Sequence, residues 1–241
     1  MTELLTLAGT ADVPLLTLNR PERRNALNIE LCNAILDGAN RAADAGARAI
    51  VITGEGSSFC SGADLKEVYG PEFTAALYEM LHGLSKLPIP LIAAVNGPAI
   101  GGGSQLAIAC DLRVVAPNAA FGVPTPRNGL ATDAWTIRTL AALAGVGVAR
   151  RLLLAAETID APTAISVGLA DRAGSLHDAL AWAEEIADFA PLTLAFNKRI
   201  LNGWADEDEV AQRYAEIWAS ADAAEAAEAW QEKRLPRFHG R

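Results

Sequence analysis

Two glycine-rich segments carry the residues from which chemistry can be built: Gly54-Glu-Gly-Ser-Ser-Phe-Cys-Ser-Gly-Ala-Asp64 and Asn96-Gly-Pro-Ala-Ile-Gly-Gly-Gly-Ser-Gln105. The second passes from an apolar run into a helical pattern. Its consecutive glycines, 101–103, let a ligand approach the backbone closely and leave the N–H groups of a helix start free to meet it. Such donors suit an anion or a developing oxyanion. The first segment can present the Ala63 N–H in the same way. The same glycines also serve tight turns and close helix packing, and the residues alone leave both uses open.

Other chemistries find less support. Neither segment holds Gly-Lys-Ser/Thr or G-x-G-x-x-G between strand and helix, so no nucleotide loop is read. Ser104 lacks the G-x-S-x-G elbow, and nothing links it to His82, His177 or His239. Histidines and cysteines lack metal-ligand spacing, so no metal is expected, and His82 and His177 read as surface residues. Basic residues cluster in Asn-Arg-Pro-Glu-Arg-Arg-Asn (19–25) and Glu-Lys-Arg-Leu-Pro-Arg-Phe-His-Gly-Arg (232–241). These clusters suit a small polyanion, or equally a solvated turn and tail.

The elements that must position these residues follow from periodicity. Strands are expected near Leu4–Ala8 and Pro14–Leu18, then a helix over Glu30–Ala45 with Leu31, Ile35 and Leu36 on one face. The run Arg48–Thr53 reads as a strand buried on both sides. A helix over Pro71–Leu87, a strand over Leu91–Val95, a short helix over Gly103–Ala109 and a strand over Asp111–Val115 follow. Beyond Asp133 the pattern is helical, from Ala134–Leu143 to the Ala/Glu-rich Ala221–Lys233. Alternating strands and helices predict an α/β fold, with a core over 1–190 and a helical region over 191–241.

Composition bounds the function. Of 241 residues 51% are hydrophobic and 20% charged, enough for a sizeable core. A formal charge of −9 argues against general nucleic-acid binding. The three cysteines cannot all pair, and no basic stretch precedes the apolar N-terminus, so a reducing, cytoplasmic setting is expected. The apolar stretch Leu87–Ala109 is interrupted by Pro88, Pro90, Asn96 and Pro98, so no integral membrane segment is read.

Arg-Pro-Glu-Arg-Arg-Asn-Ala-Leu-Asn (20–28), Phe-Cys-Ser-Gly-Ala-Asp-Leu-Lys-Glu (59–67) and the long block from Ala94 to Pro124 together resemble the enoyl-CoA hydratase/isomerase (crotonase) superfamily. The closing Glu-Lys-Arg-Leu-Pro-Arg-Phe-His-Gly is similar to that family's last motif, so the resemblance covers essentially the whole chain. It implies a crotonase (ClpP-like) spiral of ββα units, with C-terminal helices that pack homotrimers, often paired into hexamers. The implied ligand is an acyl-CoA or enoyl-CoA thioester of fatty-acid metabolism, with no cofactor beyond its CoA moiety and no metal.

By motif position, the N–H groups of Ala63 and Gly102 would form an oxyanion hole. Arg23, Arg24, Ala26 and Leu27, with Leu65 and Lys66, would lie along the CoA, and Lys233 and Phe238 would reach it at a subunit boundary. The resemblance also marks departures. Hydratases of the family carry glutamates where this chain has Gln105 and Thr125. Neither side chain exchanges a proton near pH 7, and a general acid or base contributes typically about 10²–10⁴-fold, so hydration is expected to be weak or absent. Asp133 falls where related dienoyl-CoA isomerases keep a catalytic aspartate, although it also stands where it would cap the next helix. Trp135 replaces small residues and would wall the acyl pocket.

Overall fold

The computed structural model describes residues 3–64 and 68–241. Its main sheet opens with the antiparallel pair β1 (Leu5–Gly9) and β2 (Pro14–Leu18), in which Leu7 faces Leu16. The chain then alternates: α1 (Ile29–Asp44), β3 (Ile50–Gly54), α2 (Pro71–Lys86) and β4 (Leu91–Val95). Asn28 caps α1 by accepting the Leu31 N–H at 3.0 Å, and Pro71 opens α2 at a position where no N–H is needed.

A short strand, β5 (Pro98–Ile100), precedes α3 (Gly102–Ala109), and β6 (Leu112–Val115) and β7 (Ala120–Gly122) follow. Then come α4 (Ala134–Leu153), β8 (Thr158–Asp160), α5 (Ala161–Ser166), β9 (Arg172–Ala173), α6 (Leu176–Ala187), α7 (Pro191–Leu201), α8 (Glu207–Trp218) and α9 (Ala221–Glu232). The main sheet is ordered β1-β2-β3-β4-β6-β9, parallel from β2 onward, and a smaller sheet is ordered β5-β7-β8.

Every residue of β3 and β4 is buried because helices cover both faces of the sheet. Ile50, Ile52, Leu91 and Ala93 face a core shared with Leu31 and Ile35 of α1 and Met80 and Leu81 of α2. The alternate residues Val51, Ile92 and Ala94 face Ala179, Ala183 and Ile186 of α6. The strand period of two thus divides one continuous apolar run between two layers.

The helical region is tied on by a buried cation. Lys198 of α7 pairs with Asp111 Oδ2 at 2.8 Å and donates to the Ile89 carbonyl at 2.8 Å. Asp111 also accepts the Leu91 N–H at 2.8 Å, so this pair fixes α7 against the entry to β4. Among the described residues no helix is long and apolar enough to cross a membrane.

The fold differs from the sequence expectation at β9, which pairs with β6 from within a stretch read as helical, and in two further places. The small sheet was not foreseen, because its strands are three residues each and two of them touch proline or glycine. The helix expected over Ala134–Leu143 continues to Leu153 beyond a break at Gly145, whose φ of +78° only glycine adopts readily.

Candidate functional site

The two glycine segments meet at the ends of β3 and β4. The buried Asn25 side chain donates to the carbonyls of Glu55 (2.9 Å) and Ser58 (2.8 Å) and accepts the Arg20 N–H at 3.0 Å. It thereby stitches the arginine-rich turn to the first segment. Arg20 pairs with Asp64 at 3.2 Å and also donates to the Ala26 carbonyl. Leu27 and Ala63 form an isolated parallel bridge: Leu27 N–H donates to Gly62 O and Asp64 N–H to Leu27 O, each at 2.7 Å. Because the groups flanking Ala63 make that bridge, the Ala63 N–H points away from it.

A second bridge joins Cys60 to Ala99 and lays the second segment beside the first. Gly101, at φ +55°, donates to Gly122 O at 2.7 Å and turns the chain into α3. A Cβ on Gly103 would lie 2.1 Å from the Cys60 carbonyl oxygen, so only glycine allows this approach. A Cβ on Gly102 would lie 3.7 Å from Ala63 N, and one on Gly62 would lie 3.6 Å from Gly102 N. The two N–H groups are therefore neighbours.

Gly102 N–H belongs to the first turn of α3 and has no intrahelical acceptor, and among the described residues neither donor has a protein acceptor. Two free donors at the positive end of a helix suit a carbonyl oxygen that gains charge. Ser104 is no nucleophile here. Its hydroxyl donates to Ala99 O at 2.6 Å and accepts the Gly122 N–H at 3.1 Å. Burial pushes the Cys60 and Cys110 thiols up to about 12, which keeps both protonated.

One turn along α3, the buried Gln105 donates from Nε2 to Thr136 Oγ1 at 3.0 Å. Asp133 caps α4: its Oδ1 accepts the Thr136 N–H at 3.0 Å, and its Oδ2 lies 3.2 Å from His82 Nε2. The Asp133 N–H donates to the Tyr78 hydroxyl at 3.1 Å. Burial, then the Asp133 charge, raise the Tyr78 pKa above its usual 10. The His82 ring meets Trp135 edge-on at 5.5 Å and Trp204 at 5.9 Å, and Lys86 sits 4.2 Å from the Trp204 ring.

His82 is therefore not the free surface residue that the sequence suggested. It belongs to a cluster that sequence reading missed. The available signal was the Tyr78, His82, Lys86 spacing of four, which puts all three on one helix face.

The remaining expected residues divide into groups. Arg23 and Arg24 are exposed, and their carbonyls hold Ser61 Oγ and Ser61 N–H at 3.3 and 2.9 Å. Ala26 and Leu27 are buried, and Leu27 Cδ1 lies 3.1 Å from where a Gly102 Cβ would stand, so Leu27 floors the site from beneath. Leu65 and Lys66 lie outside the described residues. Thr125 opens a short 3₁₀ turn, with its hydroxyl 3.5 Å from that of Thr132.

Besides meeting His82, Trp135 lines a cleft of 1030 Å³ between α4, α6 and α7. Lys233 is the left-handed C-cap of α9, and Phe238 lies in the tail that returns to Asp222, whose carboxylate accepts the His239 and Gly240 N–H groups. Among the described residues no hydrogen bond, ion pair or ring contact joins Lys233 or Phe238 to Ala63 or Gly102.

A family model described as enoyl-CoA hydratase/isomerase matches residues 9–241. The chain belongs to the enoyl-CoA hydratase/isomerase family. Among relatives in this family, a Mycobacterium tuberculosis protein named "Probable enoyl-CoA hydratase echA6" is 47% identical over 92% of this chain and 94% of its own. The 2,3-dehydroadipyl-CoA hydratase of Escherichia coli is 35% identical over the full length of both. A solved enoyl-CoA hydratase/isomerase family protein from Hyphomonas neptunium superposes with a TM-score of 0.90 at 32% identity, covering 100% of this chain and 99% of that one. A putative enoyl-CoA hydratase from Streptomyces coelicolor gives 0.91 at 31%, covering 99% and 95%. The fold is thus the crotonase α/β fold, with a helical C-terminal region.

Proposed function

We propose that this family member binds acyl-CoA or enoyl-CoA thioesters in fatty-acid metabolism and hydrates them little or not at all. The paired Ala63 and Gly102 donors support the binding half of this reading as an oxyanion hole, where one donor is worth roughly 3 kcal/mol in a transition state. The observation that carries the other half is Gln105. It stands one turn from the hole, where the resemblance implies a family glutamate, and its Nε2 donates to Thr136. Thr125, in the place of the second glutamate, has a hydroxyl far too weak to move a proton at pH 7. Arg23, Arg24, Ala26, Leu27, Leu65 and Lys66 would line the CoA, and Trp135 would wall the acyl chain. No cofactor beyond the CoA moiety and no metal enter this reading.

Calorimetric titration with trans-2-octenoyl-CoA, with the product assayed in the same cell, tests it. The expected result is saturable binding without 3-hydroxyoctanoyl-CoA. Hydration at an enzyme-like rate would overturn the second half, and absence of binding the first.

A second reading, an enoyl- or dienoyl-CoA isomerase using Asp133, rests on the Asp133–His82 pair, which gives a carboxylate an imidazole proton partner. Both Asp133 oxygens are already held, which favours the capping role. Double-bond migration in the wild type and its loss in Asp133→Asn would favour the isomerase.

The assembly belongs to the same reading. Leu201, Trp218, Trp230 and Leu235 expose large apolar side chains, which supports packing into a homotrimer or a hexamer of trimers in the cytoplasm. In such an assembly Lys233 and Phe238 would serve a neighbour's CoA. Light scattering reads the mass, and a monomer at micromolar concentration would overturn this part.

A further inference from the structure

Aim matters for the Gly102 N–H, because a hydrogen bond weakens steeply off line. The peptide plane that carries it is set at Gly101, whose φ of +55° and ψ of −118° glycine adopts readily and other residues resist. The Gly101 carbonyl accepts the Gln105 N–H at 3.1 Å, inside α3. Across a planar trans peptide, the Gly102 N–H must then point the opposite way, out of the helix start. Glycine has many other conformations within reach, so this one needs a hold from outside the helix as well.

The outer hold ends at Ser104. Gly101 N–H donates to Gly122 O, at the end of β7, at 2.7 Å. The Ser104 hydroxyl accepts the Gly122 N–H at 3.1 Å, lies 3.1 Å from Gly122 O and donates to Ala99 O, in the middle of β5, at 2.6 Å. One side chain of α3, 1% exposed, therefore joins the two strands that flank the turn at Gly101. An apolar side chain there would leave the Gly122 N–H without that acceptor and the Ala99 carbonyl without that donor.

We infer that Ser104 is a positioning residue for the oxyanion hole: its hydroxyl holds β7 and β5 against α3, so that Gly101 keeps the Gly102 N–H aimed at the thioester oxygen. This rests on the thioester-binding reading above. Ser104 itself touches no ligand, since its hydrogen and an oxygen lone pair are spent on the protein.

The test is difference infrared spectroscopy of octanoyl-CoA, isotope-labelled at the thioester carbonyl, with the wild type, Ser104→Ala, Ser104→Cys and Ser175→Ala. The carbonyl stretch falls as its oxygen accepts stronger hydrogen bonds, so it reads the aim of the donors. The wild type is expected to lower the stretch on binding. Two donors share that shift and Ser104 governs one, so Ser104→Ala should lose about half of it and bind about fivefold more weakly. Ser104→Cys, close in size but with a weak S–H donor, should fall between the two. Ser175→Ala removes the cap of α6, which packs on the other face of the main sheet, and should lower the melting temperature while leaving the shift whole.

A full shift in Ser104→Ala overturns the inference, as does an equal loss in Ser175→Ala, which would tie the shift to stability alone. If Ser104→Ala fails to fold, a full shift in Ser104→Cys overturns it. A wild type that binds octanoyl-CoA with no shift contradicts the oxyanion hole, and one that does not bind contradicts the acyl-CoA reading. Both outcomes are distinct from a failure of Ser104 alone.

Discussion

The donor pair at Ala63 and Gly102 and the side-chain cluster around Gln105 lie one helical turn apart but are built from different materials. The donor pair is backbone. It needs glycine where strands and helix press together, as at Gly103 against Cys60 O, and at Gly62, whose φ is +102° and whose Cβ would lie 2.8 Å from Ile100 O. The cluster depends on side chains: Gln105 on Thr136, the Asp133 carboxylate on His82, and the Tyr78 hydroxyl on the Asp133 N–H. One substitution there changes whether a proton can move. On the proposed reading, binding a thioester would rest on the first region and moving a proton on the second, so the two could be lost separately.

The largest expected effect comes from placing carboxylates at positions 105 and 125. Gln105→Glu combined with Thr125→Glu should raise octenoyl-CoA hydration by at least about 10²-fold, since each acid or base contributes 10²–10⁴-fold. Gln105→Glu alone should give less. An unchanged rate in the pair would mean that the hole is not aligned with the two positions.

Next is Gly103→Ala, which forces a Cβ to within 2.1 Å of the Cys60 carbonyl oxygen. The expected cost is about 3 kcal/mol or more, with acyl-CoA binding lost as α3 moves. Denaturant unfolding and calorimetry read the two effects.

Lys198→Met serves as a control outside both regions. It leaves the half-buried Asp111 without its cation, though still accepting the Leu91 N–H, at a cost of about 1–3 kcal/mol. The melting temperature should fall while the acyl-CoA Kd of the folded fraction stays constant.

A smaller effect is expected of Asp133→Ala, which removes the α4 cap at about 1 kcal/mol, or roughly 2–4 °C in Tm. Asp133→Asn keeps a capping oxygen and should lose less. Equal losses would mean that the His82 pair, rather than the cap, carries the residue's contribution.

The smallest effect is with pH. The raised Tyr78 pKa means the folded state holds the phenol proton more tightly than the unfolded state. Its contribution is complete below pH 10 and declines as the pH rises through the folded value. A difference titration of wild type against Tyr78→Phe should show one phenol ionising above pH 10, and ionisation below it would contradict the buried setting.

The same contrast explains what the sequence could reveal. β3 and β4 were legible because unbroken apolar runs ending in glycine leave few alternatives, and the helix start at Gly102 was legible because Gly101–Gly103 has a physical use of its own there. The cluster was not. Tyr78 and His82 meet Asp133 across 55 and 51 residues, and no local pattern encodes such a meeting. His82 looked like a lone polar residue on a helix, and only the fold supplied its carboxylate and two indoles. Asp133 was read both as a cap and as an acid, and the capping bond to Thr136 is present. The small sheet escaped because Pro98–Ile100 is too short to show a period.

The most direct test of the central claim uses stoichiometric protein and trans-2-octenoyl-CoA in D₂O, with mass spectra of the ligand taken over time. The thioester is expected to stay bound and keep its mass, with neither water added nor deuterium incorporated. A water adduct, or deuterium entering the acyl chain, would contradict that claim by revealing a proton carrier that Gln105 and Thr125 cannot be.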